Sequence, residues 1–155
     1  MISENVDLRP MSESDLEACQ RLESQVSPNP WPLSTFRRGI QKNHWSRVAK
    51  DKDREIVGFC ICQLVADELS VLNIAVSADL QRQGLGRRLM TEALQGGVEL
   101  GATVAFLEVR QSNLGAQALY ERLGFHVAGI RENYYPGRTG SREHALIMAR
   151  ALLDD

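Results

Sequence analysis

The stretch Val71-Leu72-Asn73-Ile74-Ala75-Val76, followed by Gln81-Arg82-Gln83-Gly84-Leu85-Gly86, decides how the rest of the chain is interpreted. The first segment is typical of a buried strand, and the second begins an amphipathic helix that continues to about residue 100. A strand that leads through a glycine-rich turn into a helix gathers backbone N–H groups that can hold a phosphate. The stretch therefore predicts a site for the pyrophosphate of a cofactor.

Hydrophobic periodicity and turn residues predict the other elements around this stretch. We expect strands at 6–9, 45–50, 56–65, 68–76, 103–110, 125–132 and 144–152, and helices at 16–26, 35–41, 85–100 and 114–123. The order βααβββαβαββ predicts an α/β fold, with a mixed central sheet of about seven strands and flanking helices. Within the strand at 68–76, alternation places Leu72, Ile74 and Val76 on one face and Val71, Asn73 and Ala75 on the other. Apolar residues on both faces predict a central strand that is covered on both sides.

The composition bounds the function classes that need to be considered. A chain of 155 residues fits a single domain, which we expect to span residues 1–155. The net charge of −2 gives no global field for nucleic acid or an anionic membrane, and no window is long and apolar enough to span a bilayer. The first residues do not resemble a secretory signal, so we expect a cytoplasmic protein, as a monomer or a weak dimer. The three cysteines lack metal-ligand spacing, and we expect no metal.

The glycine turn fits some phosphate-binding patterns better than others. A P-loop has Lys and Ser or Thr directly after its last glycine, where this chain has Arg87 and Arg88. A dinucleotide fingerprint has a third glycine where Leu89 stands, and it follows a βαβ unit. The remaining form is a Gln-x-x-Gly-x-Gly turn in which glycines let the backbone approach a diphosphate. A helix start that merely needs a tight turn is the open alternative.

Several separate segments resemble the GNAT superfamily of N-acetyltransferases. The glycine turn, Asn73–Val76 before it and 113–124 after it resemble the acetyl-CoA core of that superfamily. Three further groups of residues resemble its bacterial RimI-type branch: Asn29-Pro30-Trp31, Leu107-Glu108-Val109-Arg110 with 118–125, and Ile130-Arg131-Glu132-Asn133-Tyr134-Tyr135-Pro136. The resemblance implies a GNAT fold with a splayed cofactor cleft and acetyl-CoA as co-substrate. It further implies transfer to a protein N-terminus, the N-terminal alanine of the eighteenth small-subunit ribosomal protein.

Two residues are candidates for the proton transfers that acetylation of an amine requires. Glu108 ends an apolar row along its strand, and burial raises the pKa of a carboxylate, which suits a general base. A salt bridge to Arg110 or to another arginine is the structural alternative. Tyr120 lies two helical turns after Asn113, and its phenol can protonate a departing thiolate. A core tyrosine is the alternative there. The resemblance implies that Glu108 is the proton acceptor and Tyr120 the proton donor.

The resemblance also implies which residues hold the cofactor. The backbone of Ile74, Ala75 and Val76 is expected to pair with pantetheine, and a main-chain N–H there can polarise the acetyl carbonyl. The turn is expected to hold the diphosphate through Arg82, Gln83, Gly84, Leu85, Gly86 and Arg87. Asn113 is predicted first as a helix N-cap, and the resemblance adds a hydrogen bond to the cofactor.

The acceptor groove is expected between the break after the first helix and a late loop. Trp31 would form one wall, and Tyr134 and Tyr135 in the loop at 133–137 would form the other. A hairpin packed on the sheet is the alternative for the two tyrosines. Glu23 could face a basic peptide, although its offset from the apolar stripe favours a solvated surface residue. Two other functions stay open: acetyl transfer to another N-terminus, a lysine or a small amine, and a domain that binds acetyl-CoA without turnover.

Overall fold

The structure is a computed structural model that describes residues 5–137 and 140–152. Within these residues, one sheet of seven strands has the order β1-β2-β3-β4-β5-β7-β6. The strands are β1 (Asp7–Pro10), β2 (His44–Lys50), β3 (Ile56–Val65), β4 (Glu68–Val76), β5 (Val104–Arg110), β6 (His126–Pro136) and β7 (Arg142–Ala151). The helices are α1 (Leu16–Val26), α2 (Leu33–Arg38), α3 (Leu85–Glu99) and α4 (Leu114–Arg122). The predicted element order and the mixed α/β sheet are confirmed.

The central strand β4 has different neighbours along its two halves. It pairs antiparallel with β3 along its length, whereas its parallel pairing with β5 runs only from Glu68 to Val71, opposite Val104 to Leu107. Beyond these residues both strands continue without pairing to each other. The sheet therefore opens at the carboxyl ends of β4 and β5, which is the splayed cleft that the sequence resemblance implied.

A β-bulge corrects the predicted faces of β4. Val71 lies opposite Cys62 and Asn73 opposite Ile61, so Leu72 is an extra residue in the ladder. One extra residue reverses the alternation that follows it. Val71 accordingly packs in the same core cluster as Ile74 and Val76, and Ala75 packs in the other cluster. Leu72, predicted to share a packed face with Ile74, is 40% exposed.

The bulged strand separates two apolar layers. The larger cluster packs α3 and Tyr120 of α4 against one face of the sheet, and it includes Leu85, Leu89 and Met90. The smaller cluster packs α1 and α2 against the other face through Leu16, Phe36 and Phe59. The strand is thus covered on both sides except where the cleft opens, as its apolar sequence predicted. In the part of the chain that the structure describes, no helix is long and apolar enough to cross a membrane.

The carboxyl-terminal hairpin differs from its prediction. Residues 133–136, expected in a loop, continue β6 as far as Pro136. The strand is irregular there, because Arg131 lies opposite Ala145 and Tyr135 opposite Glu143. Three residues of β6 therefore stand against one of β7, and the backbone φ of +52° at Asn133 marks the distortion. The sequence showed the turn-forming residues here, but it did not show that the strand continues past them.

Candidate active site

A cleft of about 290 Å³ lies where β4 and β5 separate. It is bounded by the end of α1 and the segment after it, by β4 and β5, by the start of α4 and by β6. Eight residues predicted for the site line this cleft: Glu23, Trp31, Ile74, Ala75, Glu108, Asn113, Tyr120 and Tyr135. The structure therefore brings together candidates from segments that are more than 100 residues apart in the chain. Val76, Tyr134 and the glycine turn lie outside its lining.

Glu108 lies on β5 just past the last residue that pairs with β4. Its side chain is 32% exposed, so the predicted burial is wrong. Its carboxylate accepts a hydrogen bond of 2.9 Å from Arg131 of β6, and this ion pair is the salt bridge to another arginine considered above. Glu108 lines the cleft, and among the described residues its second carboxylate oxygen accepts no hydrogen bond.

Arginine–tyrosine stacking organises the wall beside Glu108. The guanidinium of Arg131 lies 4.0 Å from the centroid of the Tyr134 ring, and that of Arg110 lies 4.5 Å from the Tyr135 ring. The two tyrosine rings meet edge to face, with centroids 5.0 Å apart. The hydrogen bond to Glu108 raises the pKa of Arg131 above its ordinary value, so the cation is maintained. The two tyrosines thus pack against each other on β6, where Tyr135 lines the cleft and Tyr134 does not. Their role as a wall for the acceptor stays a prediction.

A second ion pair joins this wall to the start of α4. Arg110 donates to Glu143 at 3.0 Å, and the other oxygen of Glu143 accepts from the backbone N–H of Ser112 at 2.7 Å. The bonds from Ser112 and Arg110 lower the pKa of Glu143 below its usual range. Glu143 therefore fixes the short segment that leads into Asn113.

Tyr120 lies on α4 with its ring buried against Phe125 and only 7% of the residue exposed. Tyr120 is a core tyrosine, which was the structural alternative, and it also lines the cleft. Its role as proton donor stays a prediction. Burial, with smaller contributions from Cys60 and Tyr135, raises its pKa above its usual value near 10. No hydrogen-bond partner of its hydroxyl lies within residues 5–137 and 140–152. The phenol is therefore protonated at neutral pH and free to donate to a ligand.

Asn113 is the N-cap of α4, as predicted. Its side-chain oxygen accepts a hydrogen bond of 3.1 Å from the backbone N–H of Ala116. Its amide nitrogen, at the edge of the cleft, has no partner within the described residues. The cap can therefore offer a donor to a ligand without giving up its helical role.

The glycine turn lies at the amino terminus of α3, next to the cleft. Gly84 is the N-cap with a φ of +89°, a conformation that favours glycine. A Cβ on Gly86 would lie 3.5 Å from Leu119 of α4 and 3.9 Å from Val76, so Gly86 stands between α4 and the end of β4. Leu85 is buried in the core, so it can serve a cofactor only through its backbone. The first-turn N–H groups of a helix have no intrahelical partner and can hold an anion.

Glu23 is the second carboxylate of the cleft, and its predicted exposure is wrong. It is 4% exposed, at the last turn of α1. Its two oxygens accept hydrogen bonds of 2.8 Å, one from the backbone N–H of Trp31 and one from the side chain of Asn73. Glu23 therefore ties the segment between α1 and α2 to β4, and it sets where Trp31 stands at the groove.

The sequence interpretation missed four residues that organise the site: Asn73, Arg110, Arg131 and Glu143. Arg110 and Arg131 stood within the segments that carried the family resemblance, but an arginine was considered there only as a salt-bridge partner of Glu108. Glu143 and Asn73 act through partners that are 31 and 50 positions away in sequence. Local periodicity contains no information on such pairs.

Comparison with known proteins identifies the family. The acetyltransferase (GNAT) family matches residues 16–125. The chain is 42% identical to the [ribosomal protein bS18]-alanine N-acetyltransferase of Salmonella typhimurium, over 90% of this chain and 93% of that protein. The chain belongs to the GNAT acetyltransferase family. As a GNAT acetyltransferase it uses acetyl-CoA as co-substrate.

Further relatives of this GNAT acetyltransferase span a similar length. A Bacillus subtilis protein named as a putative [ribosomal protein bS18]-alanine N-acetyltransferase is 33% identical over 91% of this chain and 92% of its own. The crystal structure of the Escherichia coli ribosomal-protein-S18-alanine N-acetyltransferase has a TM-score of 0.89 and 37% identity, covering 97% of this chain and 96% of that one. Arabidopsis thaliana NAA60 in complex with a bisubstrate analogue has a TM-score of 0.86 at 18% identity, covering 94% and 97%, which shows a shared fold.

The described residues contain no group of three or more His, Cys, Asp or Glu side chains that could hold a metal ion.

Proposed function

We propose that this protein transfers the acetyl group of acetyl-CoA to the N-terminal α-amine of a protein. The observation that carries the proposal is the placement of Glu108 and Tyr120 in one cleft at the opening of the sheet. An exposed carboxylate and a buried, protonated phenol there supply a base and an acid. We further propose that the acceptor is the N-terminal alanine of ribosomal protein bS18, because that substrate appears in the name of a relative 42% identical over 90% of the chain.

The backbone of β4 is the proposed support for the thioester. Past Val71, the edge of β4 that faces β5 has no strand partner among the described residues, so pantetheine can add to it as a strand would. Ile74 and Ala75 line the cleft at this edge, and Val76 follows them toward the glycine turn. A backbone N–H in this segment would polarise the acetyl carbonyl. The amino terminus of α3 and Asn113 would hold the diphosphate and pantetheine portions.

The proposed proton transfers balance across the reaction. An α-amine has a pKa near 8, so Glu108, directly or through one water, has only to remove one proton from the ammonium form. The neutral nitrogen attacks the thioester carbon, and the carbon–sulfur bond breaks. Tyr120 protonates the departing thiolate, and the second proton that the nitrogen loses on becoming an amide replaces the one Tyr120 gave. The products are the acetylated N-terminus and the free thiol of coenzyme A.

The proposed acceptor groove lies between Trp31 and the tyrosine pair. Glu23 fixes Trp31 from one side, while Arg110 and Arg131 hold Tyr135 and Tyr134 on the other. Two walls that are held in place reduce the ordering that an extended peptide terminus requires on binding. The single domain over residues 1–155, the cytoplasmic location and the monomeric or weakly dimeric state stay predictions.

Mass spectrometry of acetylated peptides tests the proposal. The substrate is a peptide that begins with alanine and basic residues and contains one internal lysine, and the control is the same peptide with a blocked N-terminus. We expect one acetyl group on the α-amine of the free peptide and none on the blocked peptide. Acetylation of the lysine in the blocked peptide would instead support a lysine acetyltransferase. Acetyl-CoA binding without release of thiol would support a domain without turnover.

A further inference from the structure

Arg131 is the described group that holds the carboxylate of Glu108. Its Nη1 donates to one oxygen of Glu108 at 2.9 Å, and its guanidinium stacks at 4.0 Å on the ring of Tyr134. Among the described residues, Glu108 accepts no other hydrogen bond. The orientation of the carboxylate in the cleft therefore depends on one arginine that is itself held by one aromatic ring.

The position of Glu108 explains why such a partner is needed. The parallel pairing of β5 with β4 ends at Leu107, so one flank of Glu108 is open. On the other flank, its backbone partner on β7 is Ile147, which offers no hydrogen bond from its side chain. An unpaired glutamate at such a position has rotamer freedom, and a general base acts only from within hydrogen-bond reach of the proton it removes.

We infer that Arg131 is a positioning residue for Glu108, a role that rests on the proposed acetyl transfer. Arg131 occupies one carboxylate oxygen and leaves the other directed to the acceptor amine or its water. The aromatic face of Tyr134 limits the guanidinium to one orientation, since arginine prefers to stack on such rings. The effect belongs to the rate of transfer and not to cofactor binding, because Arg131 lies on β6 and outside the lining of the cleft.

An alternative is an ion pair at the surface that affects nothing. Arg131 is 48% exposed, and exposed pairs contribute little to folding stability. Because the ion pair contributes little to folding stability, removing it should leave the fold intact, and a change in rate can then be attributed to the site. The chain offers a matched control in Arg37, which is 53% exposed and pairs with Glu13 at 3.0 Å, distant in sequence from every residue of this wall.

The test compares steady-state rates of Arg131→Gln, Arg131→Lys and Arg37→Gln with wild type. We expect Arg131→Gln to lower kcat by about 10-fold to 100-fold, the scale of a misplaced catalytic group, with KM for acetyl-CoA within about twofold of wild type. Arg131→Lys keeps a cationic donor for the carboxylate and should recover most of the rate. Arg37→Gln should match wild type.

Three results would overturn the inference. These are an unchanged kcat in Arg131→Gln, an equal loss in Arg131→Lys, and a change confined to KM for acetyl-CoA. The kcat of each variant is compared with that of wild type on whichever amine the wild-type enzyme acetylates. Failure of the alanine acceptor would therefore refute the proposed substrate and still leave the comparison of variants readable, because any ammonium acceptor needs a base.

Discussion

The two carboxylates of the cleft, Glu23 and Glu108, have opposite surroundings. Glu23 is 4% exposed, and both its oxygens are bound by groups of the protein itself. The side chain of Glu108 is 32% exposed, and one of its oxygens accepts a hydrogen bond from Arg131. A carboxylate whose acceptors are already used holds a structure together, whereas one with a free oxygen can take a proton. The comparison supports a structural role for Glu23 and agrees with the proposed proton transfer to Glu108.

Replacing the proposed base, Glu108, is expected to have the largest effect. Glu108→Gln keeps the size of the side chain and removes its ability to accept a proton, so we expect kcat/KM to fall by about 10²-fold to 10⁴-fold at pH 7. The loss should be greatest at low pH, where more of the acceptor amine is charged. Steady-state kinetics with an alanine peptide measure it. Retention of wild-type activity at pH 6.5 or so would remove Glu108 as the base.

Replacing the proposed acid, Tyr120, is expected to have a smaller effect. The thiolate of coenzyme A leaves with a thiol pKa near 8.5, so it needs less help than an alkoxide would. We therefore expect Tyr120→Phe to slow transfer about 10-fold to 100-fold while acetyl-CoA still binds. Binding of acetyl-CoA measured by calorimetry supplies the control. An unchanged rate would show that the thiolate takes its proton from elsewhere.

The architectural carboxylate is expected to act on stability before it acts on rate. Glu23→Ala leaves the N–H of Trp31 and the amide of Asn73 without their acceptor, which should cost about 1–3 kcal/mol of the free energy of unfolding. Glu17→Ala, at an exposed position in the same helix, is the control and should change stability by less than about 0.5 kcal/mol. Chemical denaturation measures both. If Glu23→Ala were as stable as wild type but inactive, the two carboxylates would have to exchange roles.

The smallest expected effect concerns the pH dependence of kcat, in which we expect no loss from ionisation of Tyr120. Burial raises the pKa of Tyr120 above its ordinary value near 10, so the phenol keeps its proton throughout neutral and mildly alkaline conditions. The neutral fraction of the acceptor amine still rises above pH 8, so kcat should show no decline from about pH 8 to 9.5. A decline in this range that disappears in Tyr120→Phe would contradict a protonated, buried acid.

Most of the fold was predictable because the hydrophobic periodicity of each helix or strand can be seen within its own segment of sequence. The bounds of β3 and β4 coincide with the expected 56–65 and 68–76, and the start of α3 coincides with the residue after Gly84. The bulge at Leu72 was not predictable, since one extra residue leaves no mark in an apolar strand. Its consequence is large, because it turns Asn73 toward α1 and allows the bond to Glu23.

The sequence predicted most of the residues that line the cleft, but it did not predict how exposed they are. Eight of the expected residues meet in the cleft, including Glu108 and Tyr120. Glu108 was predicted to be buried and is exposed, and Glu23 was predicted to be exposed and is buried. The alternation of residues in a sequence shows which face a side chain is on, but it does not show whether another element covers that face. For Glu23, the cover comes from the segment that carries Trp31, and the sheet opens beside Glu108. Both depend on contacts distant in sequence.

A crystal structure with a bisubstrate analogue, in which coenzyme A is joined to the amine of an N-terminal alanine, tests the central claim most directly. We expect the joining carbonyl to accept a hydrogen bond of about 2.7–3.2 Å from a backbone N–H within Ile74–Val76. The alanine nitrogen should lie within reach of Glu108, directly or through one water, and the sulfur should face Tyr120. An alanine nitrogen placed beside Glu23, with Glu108 turned away from the cleft, would contradict the account.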